Sequence, residues 1–156
     1  MKEFFKSAVH IILINDNKIL LQKRKGSKLW PGYYALPAGH IDEGETQYDA
    51  LVREAKEELG IDIQEKDLQL VSVLHPYQEE YMNIFFSTRK FEGTPQIIEK
   101  EKCDDLRWFN LNNLPDNTIE RIKQVIKCME NGIIYDDGNF SYLKMKQAEI
   151  EEGFDG

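Results

Sequence analysis

The sequence predicts a mixed α/β or α+β sandwich, a sheet of short strands packed with two helices. Three observations carry this. Apolar, β-branched runs of strand length alternate with turn residues. Two segments carry features of capped or amphipathic helices. No internal repeat or linker-like stretch divides the 156 residues, a length that suits one domain with a core of its own. That domain is expected over residues 1–146, followed by an acidic, glycine-containing tail at 147–156 that is expected to be disordered.

Residues 8–14, Ala-Val-His-Ile-Ile-Leu-Ile, read as a buried strand. Asn15, Asp16 and Asn17 are turn residues, and residues 18–23 read as the returning strand of a hairpin. A basic loop follows with Lys23, Arg24, Lys25 and Lys28. Residues 33–36 are a short strand, and residues 39–44 read as loop. Thr46, with Asp49 three residues later, resembles a capping box, and Gly60 stands where a helix would close in the left-handed conformation. Residues 68–74, 82–88 and 106–109 are further strands. Pro115 to Thr118 prepares a second helix over residues 119–129, whose Ile119, Ile122, Val125, Ile126 and Met129 follow helical spacing.

Composition narrows the function. Hydrophobic residues make up 41% and charged residues 31%, as in an ordinary globular protein. A formal net charge of −8 argues against general binding to nucleic acid or anionic membranes, which needs basic surface. A small polyanionic substrate is still admissible where metal ions neutralise the site. Cys103 and Cys128 are the only cysteines, too few for a disulfide framework or a thiolate zinc site, and they read as buried fillers in a reducing compartment. No run approaches the ~20 apolar residues of a membrane span. A cytoplasmic protein, monomeric or a homodimer, is expected.

The informative stretch is 39–61, GHIDEGETQYDALVREAKEELGI. On a helix, Glu54, Glu57 and Glu58 share one arc, because spacings of three and four return to the same face. Like charges so placed repel, and Arg53 alone cannot balance three carboxylates. Clustered carboxylates suit a hard divalent cation, Mg²⁺ or Mn²⁺. Taken alone, this heptad also reads as a solvated charged face.

The wider spacing decides between them. Gly39, Glu45, Arg53-Glu54, Ala55, Glu57-Glu58, Gly60 and Ile61 reproduce G-x5-E-x7-R-E-U-x-E-E-x-G-U, where U is bulky and apolar. This resembles the complete box of the Nudix hydrolases, MutT-like enzymes, with Ala55 smaller than the usual aliphatic. The resemblance implies an α/β/α sandwich, a mixed sheet packed between helices. It implies that Glu54, Glu57 and Glu58 hold metal with the carbonyl of Ala38, and that Glu45 and Arg53 orient the helix. Gly39 then permits the tight loop. A later glutamate, Glu101 in preference to Glu99, is expected to join the metal or take the proton of the attacking water.

What the box leaves open is the substrate. Arg24 is a candidate phosphate grip. Trp30, Tyr33, Tyr34, Tyr77 and Tyr81 are candidates for stacking on a base, Tyr77 being the substrate residue preferred. His10 is expected to be a core or sheet histidine. The resemblance favours a small nucleotide substrate, a nucleoside triphosphate giving NMP and pyrophosphate. Pro76 and Tyr77 lie near positions that in the family hint instead at ADP-ribose (or ADP-sugar) and dinucleoside polyphosphate pyrophosphatases. A non-catalytic nucleotide-binding module would be expected to have lost box glutamates, and this chain keeps them. An isomerase of the same fold would need a cysteine near the box, where none stands.

Overall fold

The computed structural model describes residues 1–2, 4–26, 28–75 and 80–139. The chain begins with a long strand, β1 (Lys6–Asn15), whose side chains alternate between two cores. Val9, Ile11 and Leu13 face one, and Ile12 and Ile14 face the other. This two-sided burial explains the near-continuous apolar run that the sequence shows. Asp16 and Asn17 turn the chain with positive φ, and β2 (Lys18–Arg24) returns antiparallel.

The hairpin is brief. β1 and β2 pair only at Ile14↔Ile19 and Asn15↔Lys18, then part. Beyond the fork, β3 (Tyr34–Ala35) joins β2 and β4 (Ala38–His40) joins β1. Between them the Ile11 N–H donates to the Pro37 carbonyl at 2.9 Å, so the segment bridges the diverging strands. The other edge of β1 takes β6 (Tyr81–Thr88) in parallel, and the other edge of β2 takes β7 (Cys103–Asn110) antiparallel. Preceding β6 in the chain, β5 (Gln69–Leu74) pairs with it and carries β8 (Tyr135–Asp136) at its far edge.

Helix α1 (Gln47–Leu59) lies on the Val9 face with Ala50, Leu51, Ala55 and Leu59 buried. Helix α2 (Glu120–Asn131) covers the Ile12 face with Ile122, Val125, Ile126 and Cys128. The α+β sandwich expected from the sequence is therefore present, with the mixed sheet between the two helices. Both ends of α1 form as the sequence predicts. Thr46 accepts from the Asp49 N–H, Asp49 accepts from the Thr46 N–H, and Gly60 closes the helix at φ 69°.

Three local expectations change. The 39–44 segment is not all loop: Gly39 and His40 continue β4, because the free edge of β1 offers partners for their backbone. β7 starts at Cys103, well before residue 106, since β2 pairs with it along its whole length. β8 and a 3₁₀ turn at Glu65–Asp67 were not anticipated. Both cysteines are buried and free, as expected. Pro76, Tyr77, residues 140–146 and the acidic tail lie outside the described residues. No helix among the described residues is long and apolar enough to cross a membrane.

Two outcomes follow. Thr46→Ala removes a reciprocal cap and should lower unfolding free energy by about 1 kcal/mol in urea titrations. Burial holds His10 below its ordinary 6.5, at about 4. The unfolded chain then takes up a proton that the folded chain refuses, so stability is full above pH 6.5 and falls as pH drops toward 4. His10→Phe should flatten that part of the urea-midpoint profile.

Candidate active site

The site is built from α1 and the loop that returns from β4. Arg53 is its centre. Its Nε and Nη2 grip both oxygens of Glu45 at 2.8 and 2.9 Å, a bidentate pair. Nη1 donates to Glu54 Oε1 at 2.8 Å and to Glu57 Oε2 at 3.2 Å. Nη2 also donates to the His40 carbonyl at 3.0 Å, which ties the helix to the end of β4. Glu45 is held in turn by the Asp42 N–H at 2.8 Å. These bonds lower the Glu45 carboxyl from its ordinary value, Arg53 first, and they raise Arg53.

The carboxylates on the arc differ in environment. Glu57 is half-exposed and rests against Arg53. Glu54 is 12% exposed, and burial raises its carboxyl although Arg53 pulls the other way. Glu58 is buried further. Burial, then the charges of Glu54 and Glu99, push its carboxyl up to about 8, against an opposing bond from the Ala38 backbone. Its Oε2 is buried with no hydrogen-bond partner among the described residues. A buried carboxylate oxygen lacking a partner is costly unless a cation completes it.

Gly39 explains how β4 comes so close. A Cβ built there would lie 2.1 Å from both Cδ and Oε1 of Glu54. A side chain there would push the Glu54 carboxylate from its place on Arg53.

Around these groups lie two cavities with a common wall. Glu58, Glu101, Lys102, Lys25, Arg24 and Ala38 line one of about 620 Å³. Arg24 and Ala38 also line the second, of about 800 Å³, together with His10, Trp30, Gly39, His40, Tyr81, Asn83 and Arg121. Arg24 sits at the bulge where the register of β2 and β7 shifts, with its backbone fixed to Tyr33 and Gly32.

The sequence candidates therefore separate. Arg53, Glu45, Glu54, Glu57, Glu58, Ala38, Gly39 and Arg24 are brought together, and Gly60 ends the helix that carries the glutamates. Glu101, the residue preferred from the sequence, lines the smaller cavity with Glu58, and Glu99 approaches as well, its charge reaching both Glu54 and Glu58. Lys102 pairs with Glu99 at 2.8 Å, and the N–H groups of Lys102 and Cys103 turn back onto its carbonyl. Glu101 is exposed and meets the site only along the smaller cavity. Tyr34 does not face a ligand, because it is buried and its hydroxyl donates to Asp105. Trp30 and Tyr81 line the larger cavity. Tyr33 does not, and stands against Trp30.

Sequence reasoning passed over Asn83 and His40 and set His10 aside as structural. A signal was present: His10 and Asn83 are polar residues inside apolar strands that pair with each other. The described residues hold no group of three acidic, histidine or cysteine side chains converged into a ready cage. Arg53 draws Glu54 and Glu57 toward itself instead. The chemistry of the set still fits a divalent cation, for it is all oxygen and includes the partnerless Glu58 Oε2.

Comparison with known proteins agrees with this geometry. Residues 4–128 match the family model described as NUDIX domain. An ADP-ribose pyrophosphatase of Methanocaldococcus jannaschii is 37% identical over 110 residues, covering 69% of this chain and 63% of its own. An NAD-capped RNA hydrolase of Stutzerimonas stutzeri is 30% identical over 105 residues, covering 67% of this chain and 37% of its own. The chain thus spans less than two thirds of the length of these relatives. Among solved structures, a MutT NUDIX hydrolase of Burkholderia pseudomallei superposes with a TM-score of 0.72 at 27% identity, covering 80% of this chain and 98% of its own. With the box residues gathered by Arg53 and the match running through most of the described chain, the protein belongs to the Nudix hydrolase family.

Proposed function

We propose that the chain hydrolyses a phosphoanhydride bond in a nucleoside diphosphate linked to a further group, with a divalent cation, Mg²⁺ or Mn²⁺, as cofactor. The observation that carries this is Glu58, a buried carboxylate with one partnerless oxygen beside two further glutamates. Glu54, Glu57 and Glu58 are the residues that would hold the cation, with the Ala38 carbonyl beside them. When bound, the cation neutralises the diphosphate oxygens and polarises the phosphorus toward attack.

The protein's own groups do the rest. Glu45 and Arg53 hold the helix and its carboxylates beside the cavity, as an outer shell holds ligands in place. Arg24, on the wall between the cavities, is placed to grip phosphate oxygens, and Lys25 and Lys102 add positive charge to the smaller cavity. A water oxygen forms the new bond to phosphorus as the bridging P–O bond breaks. The water proton passes to a carboxylate. Glu54 is the first candidate for this, through the oxygen that Arg53 leaves free. Glu99 is the second candidate, and Glu101 the third.

For the substrate, the likeness to the MutT hydrolase supports a nucleoside triphosphate yielding NMP and pyrophosphate. The 37% identity to the ADP-ribose pyrophosphatase favours a second reading, ADP-ribose yielding AMP and a sugar phosphate. A product assay with both substrates decides: pyrophosphate from the triphosphate supports the first, and release of inorganic phosphate alone sinks it.

Glu57→Gln and Glu58→Gln should each lower turnover by roughly 10²–10⁴ while the far-UV spectrum is kept. Normal turnover of both at saturating Mg²⁺ would remove the mechanism. In thermal melts, Mg²⁺ should raise the midpoint of the unsubstituted protein and raise that of Glu58→Gln much less, because a ligand that binds only the folded state stabilises it. Gly39→Ala, which drives a methyl into the Glu54 carboxylate, should lose at least tenfold in kcat and recover little with added metal.

A further inference from the structure

The larger cavity has an unusual floor. Asn83, on β6, is only 7% exposed, yet it lines the cavity. His10, on β1, stands beside it, and its Nε2 meets the Asn83 Oδ1 at 3.0 Å. The imidazole lies flat on Phe85, with centroids 4.3 Å apart and planes 14° from parallel. The ring is thereby held in place, and with it the amide. Asn83 carries four hydrogen-bonding sites, two N–H donors and two lone pairs. His10 takes part of the carbonyl's capacity. The amide nitrogen has no partner among the described residues, and it is not sealed from the cavity.

An amide nitrogen open to a cavity offers its N–H donors to whatever acceptor occupies that cavity, water or ligand. The remaining lining says what shape that acceptor has. His10, Trp30, His40 and Tyr81 are planar rings, His40 stacked on Tyr81 at 5.1 Å, while Leu29 and Ile119 are aliphatic. Flat apolar walls around a few fixed polar groups suit a planar heterocycle. The cavity also shares Arg24 and Ala38 with the carboxylate site, so a ligand bound there is continuous with the reacting phosphates.

We infer that Asn83 is a base-reading residue, donating from its amide nitrogen to an acceptor on the edge of a nucleobase, and that His10 is the positioning residue that fixes the amide's orientation. This rests on the nucleotide reading of the site given above and specifies its part beyond the phosphates. A site built to hydrogen-bond its ligand rejects one that cannot reciprocate far more strongly than an apolar pocket rejects a misfit. The pair therefore makes the cavity selective for the base.

The test uses metal-free protein and follows binding by NMR titration with AMP, GMP, CMP and UMP, and with ribose 5-phosphate as the base-free probe. In the unsubstituted protein at least one monophosphate should bind tenfold or more tightly than ribose 5-phosphate. Asn83→Asp, of nearly the same shape, replaces the donor by an acceptor and should erase that margin while ribose 5-phosphate binding stays within threefold. His10→Phe keeps the stack on Phe85 and should shrink the margin. His10→Gln, which again offers an N–H to the Asn83 carbonyl, should restore most of it. Thermal melts identify any variant that fails to fold, and the near-isosteric Asn83→Asp carries the decision. An unchanged margin in Asn83→Asp, or no margin in the unsubstituted protein, overturns the inference. Hydrolysis of nucleoside diphosphate derivatives would persist in either case, whereas its absence with Mg²⁺ would remove the function proposed above without touching the binding result.

Discussion

Everything in the site depends on one guanidinium being over-committed. Arg53 meets Glu45, Glu54, Glu57 and the His40 carbonyl with its three nitrogens. A surface ion pair contributes little to stability, but a bidentate, half-buried hub fixes geometry. It stitches the first turn's loop, the middle of α1 and the end of β4 into one body. Lysine, a single point charge, could not reproduce this fork. The hub also restrains the carboxylates electrostatically. Glu54 and Glu57 lie against that guanidinium, whereas Glu58 Oε2 is buried and finds no hydrogen-bond partner among the described residues.

The sheet supplies the second constraint. Because β1 and β2 pair for only two residue pairs before they part, the fold leaves a fork in its middle. β3 and β4 fill the two arms, and the short link through Pro37 spans them. Both cavities sit around this fork, with Arg24 from β2 and Ala38 from β4 as their shared wall. α1 brings acid to one side. On the other, the row that runs from Ile12 and Ile14 continues outward to His10, where the apolar core gives way to the cavity.

Much of this was legible along the chain. The box is local, and its spacing alone identifies a helix with both caps and a carboxylate arc. The long strands and α2 announce themselves by apolar periodicity. What escaped was nonlocal. Gly39 and His40 look like loop until the free edge of β1 is known. Residues 103–105 carry two aspartates, and only pairing with β2 makes them strand. Glu99 and Glu101 both precede the same strand, and no spacing rule separates them. The larger cavity draws on β1, β4, β6 and α2 at once, so His10 and Asn83 show their relation only after the strands pair in parallel.

The Gly39–Gly60 segment settles most of its own polar demands. Thr46 and Asp49 close one end of its helix, Gly60 the other, and Arg53 binds acids from within the same stretch. From the rest of the molecule it takes an apolar seat, the backbone of β1, and the N–H groups of Gln96 and Ile98, which donate to the carbonyls of Leu59 and Glu58. Trp30 and Asn83 stand on other elements and make none of these bonds, so a substitution at either would reshape the larger cavity and leave the Arg53 hub in place.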